Sequence, residues 1–409
     1  MRIYISGISG TGMGPLALMA KAAGFEVSGS DLAEGAIYSE LVENGINVRI
    51  GEQDGEFLKK KMADGVDWFV YTSALPDDHA ELVMAREAGI KCTKRDELTA
   101  FLVEKLGLKM VAVAGTHGKT TTTAMIIYAA LKLGLPVSYI VGTTLGFAPS
   151  GSYHEGDKYF VYEADEYDRN FLKFSPWLGI ITAVSYDHQD VYATREEYAA
   201  AFEQFKSQCE KVIDGGDLSG NVGSDLKLAG EARRKDAMLA MMAICEMAPD
   251  VSEDEVREIL NEFPGVGRRF ERLMDGIYSD YAHHPEEILA TIDVARDEAR
   301  LQGKNRVIVI YQPHQNSRQH EVRDGYRNVF SGADKIYWLP TYLVRENAEL
   351  PILTPAELVA ELSNANLAET AEMDEELFSK ILEYQKNGDL VVLMTAGPAD
   401  GWLREKLGL

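Results

Sequence analysis

Ala112-Val-Ala-Gly-Thr-His-Gly-Lys-Thr-Thr-Thr-Thr123 decides the reading of this chain. An apolar run at 110–114 ends in a glycine-containing turn, and a long helical pattern starts at Thr120. Backbone N–H groups of such a strand–turn–helix converge on phosphate oxygens, and the helix N-terminus adds partial positive charge. The Lys119 ammonium can neutralise β/γ-phosphate charge, and the Thr120 hydroxyl can ligate Mg²⁺. Gly115, Thr116, His117, Gly118, Lys119, Thr120 and Thr121 are therefore the expected ATP-binding loop. Val113 stands where a strict Walker loop has its first glycine. A chance Gly-Lys-Thr in an ordinary turn is the rival, and the flanking strand, helix and glycines weigh against it.

Outward from this loop the chain alternates. Strand-like runs (IYIS, WFVYT) and helical patterns (15–23, 81–88) fill the first hundred residues, which predicts parallel βαβ units. Further strands are expected at 159–165 and 178–184, a loop at 215–223, and helices at 231–247 and 253–262. A third α/β segment has strands at 306–311, 335–339 and 389–394. The fold class is α/β in three domains: a Rossmann-like N-terminal domain (1–108), a P-loop-type central ATPase domain (109–262) and a Rossmann-like C-terminal domain (263–409). A length of 409 residues suits two or three domains.

Composition narrows the function. With 65 acidic against 41 basic residues the formal charge is −24, which repels nucleic acid and anionic membranes. Anionic substrates must then be captured by local donors. No run of about 18 apolar residues offers a membrane span. Cys92, Cys209 and Cys245 are too few and too scattered for a disulfide framework, which favours a cytoplasmic location.

Other motifs follow in order: Gly7-Ile-Ser-Gly-Thr-Gly-Met13, Gly29-Ser-Asp31, Thr72-Ser-Ala74, Glu163-Ala-Asp-Glu166, Asp187-His188, Arg268-Arg-Phe270, Asp280-Tyr-Ala-His-His-Pro285 and Gln312-Pro-His314. Together with Gly-Thr-His-Gly-Lys-Thr they resemble the Mur ligases, which assemble the peptide stem of peptidoglycan. The resemblance implies an ATP- and Mg²⁺-dependent amide-bond ligase working through an acyl phosphate. Its partners would be UDP-N-acetylmuramate and an amino acid or short peptide, with L-alanine expected and a preformed tripeptide as the alternative. A monomer or homodimer is expected.

The same resemblance distributes roles. Lys119, Glu163, His188 and Arg269 would be catalytic, and Thr120, Glu163 and His188 would hold the metal. Asp280 would bind the ATP ribose. Gly7, Gly10, Thr11, Gly12, Asp31, Ser73, His283 and Arg318 would bind substrate. The first loop reads GxxGxG rather than GxGxxG, so it suits a diphosphate in general better than NAD. By strand alternation, Glu163 and Asp165 are expected on one face, toward the phosphate loop.

The chain also departs from the family. Strands the family carries before its helix Gly-x-His-Asn-x-x-Asn-Ala are replaced by a short loop. That helix here reads Gly230-Glu-Ala-Arg-Arg-Lys-Asp-Ala237, with Asp236 in place of an asparagine that helps recognise adenine. Gln315 and Asn316 replace an arginine and an aromatic residue. A folylpolyglutamate-synthetase-like ligase and a non-catalytic nucleotide-binding relative are the rivals. The glycine-rich first domain argues against the former. The retained Lys119, Glu163, His188 and Arg269 argue against the latter.

Overall fold

The computed structural model describes residues 1–72, 75–186, 191–218, 223–344, 346–347 and 349–409, the Asp168 side chain excepted. Ser73 and His188, both singled out above, lie outside the described residues, as do residues 219–222 of the expected loop. Three sheets organise the chain. The first contains β1 (Arg2–Ser6), β2 (Glu26–Asp31), β3 (Asn47–Ile50), β4 (Trp68–Tyr71) and β5 (Lys91–Lys94) in the order β3-β2-β1-β4-β5, all parallel. The order reverses between β1 and β4. Such a switch point opens a crevice beyond the strands' C-terminal ends, where the glycine-rich loop after β1 lies.

The second sheet contains β6 (Lys109–Ala114), β7 (Val137–Ile140), β8 (Gly151–Ser152), β9 (Tyr159–Glu163), β10 (Leu178–Ile181) and β11 (Lys211–Asp214). Its order is β11-β10-β6-β9-β7-β8, with β8 alone antiparallel to its neighbour. β6 is flanked by β9 and β10, and the register pairs Val113 with Glu163 and Ala114 with Ile181. Parallel pairing thereby brings three strand ends to one edge: the phosphate loop, Glu163 and the segment after Ile181.

The third sheet contains β12 (Glu271–Met274), β13 (Ile277–Asp280), β14 (Val307–Gln312), β15 (Lys335–Trp338), β16 (Ala368–Thr370) and β17 (Leu390–Thr395), ordered β12-β13-β17-β14-β15-β16 with β12 antiparallel. VIVIYQ and LVVLMT, the sequences of β14 and β17, are buried throughout. Strands covered on both faces read as continuous apolar runs, and these two do. Expected elements and observed ones differ at their ends by a few residues. One difference matters: β9 stops at Glu163, so the alternation expected through Asp165 is cut short by a turn.

Two compact units result, Met1–Gly220 with Lys235–Pro264, and Asn221–Arg234 with Gly265–Leu409. In the first unit one apolar cluster runs from Ile3 to Phe205, joining the first two sheets. Polar ties reinforce that joint. Lys173 pairs with Asp96 at 2.9 Å. Ser150, fully buried, gives both its N–H (2.8 Å) and its hydroxyl (2.9 Å) to the Glu40 carboxylate. After β11 the described chain has only a short turn, Gly215–Asp217, and irregular residues before the helix Glu231–Met247.

Glu40→Ala strands two buried donors of Ser150, and each unsatisfied group costs about 1–3 kcal/mol. Urea denaturation should show a loss of about 3 kcal/mol, partly recovered in Glu40→Gln. A loss below about 0.5 kcal/mol would remove this contact from the joint.

Candidate functional site

The loop from Gly115 to Gly118 turns because both glycines have positive φ, 141° and 86°. Side chains do not fit there either. A Cβ on Gly115 would lie 2.1 Å from Thr182 Oγ1, and one on Gly118 would lie 2.5 Å from Asp236 Oδ1. The loop is pinned from β10's side: Thr116 N–H donates to Ala183 O at 2.6 Å, and Thr182 Oγ1 donates to Ala114 O and His117 O. Thr116 Oγ1 lies 2.7 Å from both Ser185 O and the Tyr198 hydroxyl. The helix Lys119–Lys132 then begins with four threonines, poor helix formers compensated by packing. Thr122 and Thr123 are fully buried, and Thr122 donates to Asp236 at 3.1 Å.

Charge is matched at the same edge. Lys119 Nζ donates to Glu166 Oε2 at 2.7 Å, to Gly115 O at 2.5 Å and to Thr116 O at 3.3 Å. Burial alone would lower the lysine pKa, and the carboxylates of Glu166 foremost, then Asp165 and Glu163, together outweigh it, so the pKa lies above its ordinary value and the ammonium stays charged. Thr120 Oγ1 donates to Glu163 Oε1 at 2.8 Å, while Glu163 Oε2 is buried with no hydrogen-bond partner among the described residues. A hydroxyl and a carboxylate with an unused oxygen fit Mg²⁺, a hard ion that keeps several waters. Among the described residues no group of three or more His, Cys, Asp or Glu could cage a metal. The donor set therefore suits an ion completed by phosphate oxygens.

The loop after β1 rests on a buried network. The Glu81 carboxylate, 1% exposed, accepts from Tyr4 Oη (2.6 Å), Ser6 Oγ (2.7 Å) and Ser30 Oγ (2.7 Å), and Gln53 Nε2 bridges Ser6 and Ser30. Ser6 ends β1 and Ser30 is the penultimate residue of its neighbour β2, and Gly7 N–H and Ile8 N–H both donate to Ser30 O. Asp31 closes the loop from the side, taking Ser9 N–H and Leu32 N–H at 2.8 Å each. Thr11 N–H and Gly12 N–H make no backbone hydrogen bond among the described residues.

In the second unit, Asp280 ends β13 with both oxygens engaged. Phe270 N–H (2.7 Å), Ala282 N–H (2.8 Å) and Thr291 Oγ1 (3.2 Å) all donate to it, and burial raises its pKa. These bonds fix the turn at Arg268–Arg269, whose guanidinium groups lie 4.7 and 5.1 Å from the Tyr281 ring. Arg268 is spent on Thr395 O (2.7 Å), whereas Arg269 makes no ion pair among the described residues. His283 Nε2 contacts Arg318 Nη1, and its Nδ1 lies 3.1 Å from Tyr281 O. Arginine cannot accept a hydrogen bond, so Nε2 is the acceptor and Nδ1 carries the proton. The ring is neutral, and burial lowers its pKa.

Comparison with known proteins gives a consistent answer. Sequence models of the family match in three successive segments: "Mur ligase family, catalytic domain" at 2–105, "Mur ligase middle domain" at 113–217, and "Mur ligase, glutamate ligase domain" at 268–397. A UDP-N-acetylmuramate–L-alanine ligase of Syntrophomonas wolfei is 31% identical, covering 100% of this chain and 96% of its own. The chain belongs to the Mur ligase family. A relative of the same name from Kineococcus radiotolerans is 33% identical, over 88% of this chain and 85% of its own. The fold matches the crystal structure of the UDP-N-acetylmuramate–alanine ligase of Thermotoga maritima, with a TM-score of 0.80 at 24% identity over 100% and 98% of the two chains. A murein peptide ligase of Psychrobacter arcticus matches with 0.63 at 23%, over 100% and 98%.

In this Mur ligase, Lys119, Thr120 and Glu163 come together as expected from the motifs. Asp165 lies close enough to add to the field at Lys119 but makes no hydrogen bond to it among the described residues. Asp165 Oδ1 accepts from Tyr167 N–H at 3.0 Å, and the turn after β9 brings Glu166 into hydrogen-bond contact with the lysine. Sequence reasoning missed Glu166 as the partner of Lys119, although it lies in the quoted motif. It also missed Thr182 and the Glu81 network, for which no local motif exists. Asp31 and Asp280, expected on ribose or substrate, serve backbone amides of their own loops. Asn316 is buried and spent on Pro351 O and Leu353 N–H, so Gln315 is the replacement left near Arg318.

The lowered His283 pKa has a defined consequence. Below the ordinary value of 6.5 the unfolded chain binds a proton that the folded chain does not, so stability falls as pH falls through that window. Urea midpoints between pH 7.5 and the acid side of 6.5 should decline less in His283→Gln than in the unmodified protein. Parallel declines would show that His283 does not contribute.

Proposed function

We propose that this Mur ligase joins L-alanine to UDP-N-acetylmuramate in the cytoplasm, at the expense of ATP and with Mg²⁺. The observation that carries this reading is the Lys119–Thr120–Glu163 constellation, in a chain matched over its whole length by ligases of that name. Residues 1–108 would hold the sugar nucleotide, 109–262 ATP, and 263–409 the amino acid. Among the described residues no helix is long and apolar enough to cross a membrane, and a formal charge of −24 disfavours nucleic acid as a partner; a monomer or homodimer is proposed.

The substrate carboxylate attacks the γ-phosphorus of ATP, the bond to the β-phosphate oxygen breaks, and ADP leaves. The alanine amine then attacks the acyl carbon, inorganic phosphate departs, and the amine proton is released. Activation is needed because a carboxylate oxygen is otherwise a poor leaving group. Lys119 shifts from Glu166 toward the phosphates and stabilises charge there, with the amides at the start of the Lys119–Lys132 helix. Thr120 and Glu163, joined by His188 on the motif, would hold Mg²⁺, which supplies Lewis-acid stabilisation of the phosphoryl oxygens. Arg269 is proposed as a phosphate-directed arginine, and Arg318 as the fork for the alanine carboxylate. His283, by accepting from Arg318, sets the direction of that fork.

The test is phosphate release with UDP-N-acetylmuramate, ATP, Mg²⁺ and L-alanine, each omitted in turn. Release should need all four, and Lys119→Ala should reduce it by about a thousandfold, the scale of a lost oxyanion donor. UDP-sugar binding should persist in that variant because the loop after β1 is untouched. Release with the tripeptide L-alanyl-γ-D-glutamyl-meso-diaminopimelate in preference to L-alanine would overturn the acceptor, and near-normal turnover by Lys119→Ala would overturn the site.

A further inference from the structure

Arg95 opens the helix Arg95–Leu106 after β5, and it lies between the two loops of the first unit. On one side it lies against the glycine loop: a Cβ on Gly12 would come within 2.5 Å of Arg95 Nη1 and 3.6 Å of Cζ. On the other side its electrostatic neighbours are Tyr162 foremost, then Asp96, Asp165 and Glu163, and together they hold its pKa above the ordinary arginine value. Tyr162 and Glu163 end β9, the strand that supplies the metal-site carboxylate. The guanidinium is nevertheless under-used. Its ion pair with Asp96 is loose, 3.7 Å, and Asp96 is already bound by Lys173 at 2.9 Å. No side-chain hydrogen bond of Arg95 occurs among the described residues, and 26% of the side chain is exposed.

We propose that Arg95 is the residue that binds the carboxylate of the sugar-nucleotide substrate and carries it to the phosphoryl-transfer edge. The inference rests on the ligase reading above and deepens it. The carboxylate that is phosphorylated hangs from a sugar whose diphosphate is held by the loop after β1, while the γ-phosphate lies at Lys119 and Thr120. That anion must approach Glu163 and Asp165, which repel it. A guanidinium at the junction cancels the repulsion and offers two parallel donors that fit a carboxylate. Gly12 lacks a side chain on the face where Arg95 lies, so the loop that binds the diphosphate also makes room for the arginine.

The experiment compares binding of UDP-N-acetylmuramate with that of UDP-N-acetylglucosamine, which has the same nucleotide and sugar but no carboxylate. Calorimetric titration of the full chain needs no turnover. Arg95→Gln should weaken the muramate by at least about tenfold, the scale of a lost charge-assisted bond, and the glucosamine by less than about twofold. Arg95→Lys, which keeps the charge and loses the fork, should fall between on the muramate alone, and it serves if the glutamine variant does not fold. Equal weakening of both ligands, or of neither, overturns the proposal. An unmodified protein that binds neither ligand would instead sink the ligase reading.

Discussion

Lys119 is a buried cation beside the glycine turn proposed to bind phosphate, and a buried cation must be matched by an anion or lose its proton. Glu166 supplies the match at 2.7 Å, and the fold around it can be read as the means of keeping that carboxylate in place. β9 must pair in parallel with β6 and end at Glu163, so that the next turn delivers Glu166 under the lysine. β10 must pair on the other side, so that Thr182 and Ala183 clamp the loop. Glycine at 115 and 118 lets the clamp close without collision. In the proposed reaction substrate phosphate would take over the ammonium from Glu166, an exchange of one anion for another rather than a desolvation of bare charge.

The first sheet solves a related problem without a cation. Glu81 is satisfied by three hydroxyls from β1 and β2, with Gln53 linking two of them. A buried carboxylate that is fully hydrogen-bonded ties together every element that donates to it. Here those elements end at the glycine loop. The two loops of the first unit are thus each held from below by a glutamate, one through hydroxyls and one through a lysine, and Arg95 stands between them.

Much of this was legible in the residues. The strand–loop–helix around Lys119 was readable because a phosphate loop needs a contiguous run of small and charged residues. β14 and β17 were readable as apolar runs, because both their faces are covered. The partners that act across the sheet were harder. Thr182 and Glu81 are ordinary residues in sequence and gain their roles only when parallel pairing brings strand ends together. The alternation expected through Asp165 ends at Glu163, because a sequence gives no sign of where a strand stops when polar residues follow its end. Asp31 and Asp280 also hold loops: each stands at a strand end and accepts one backbone amide from the turn that follows and one from an earlier loop, a role the sequence does not show.

The most direct test of the account follows an oxygen atom. UDP-N-acetylmuramate labelled with ¹⁸O in its carboxylate should be turned over with ATP, Mg²⁺ and L-alanine, and the inorganic phosphate analysed by mass spectrometry. Attack of the carboxylate on the γ-phosphorus places one carboxylate oxygen in the acyl phosphate bridge, and amide formation releases that oxygen with phosphate. The account predicts one ¹⁸O in each phosphate released. Unlabelled phosphate formed in step with amide would contradict it, because activation would then not pass through the carboxylate at the Lys119 site.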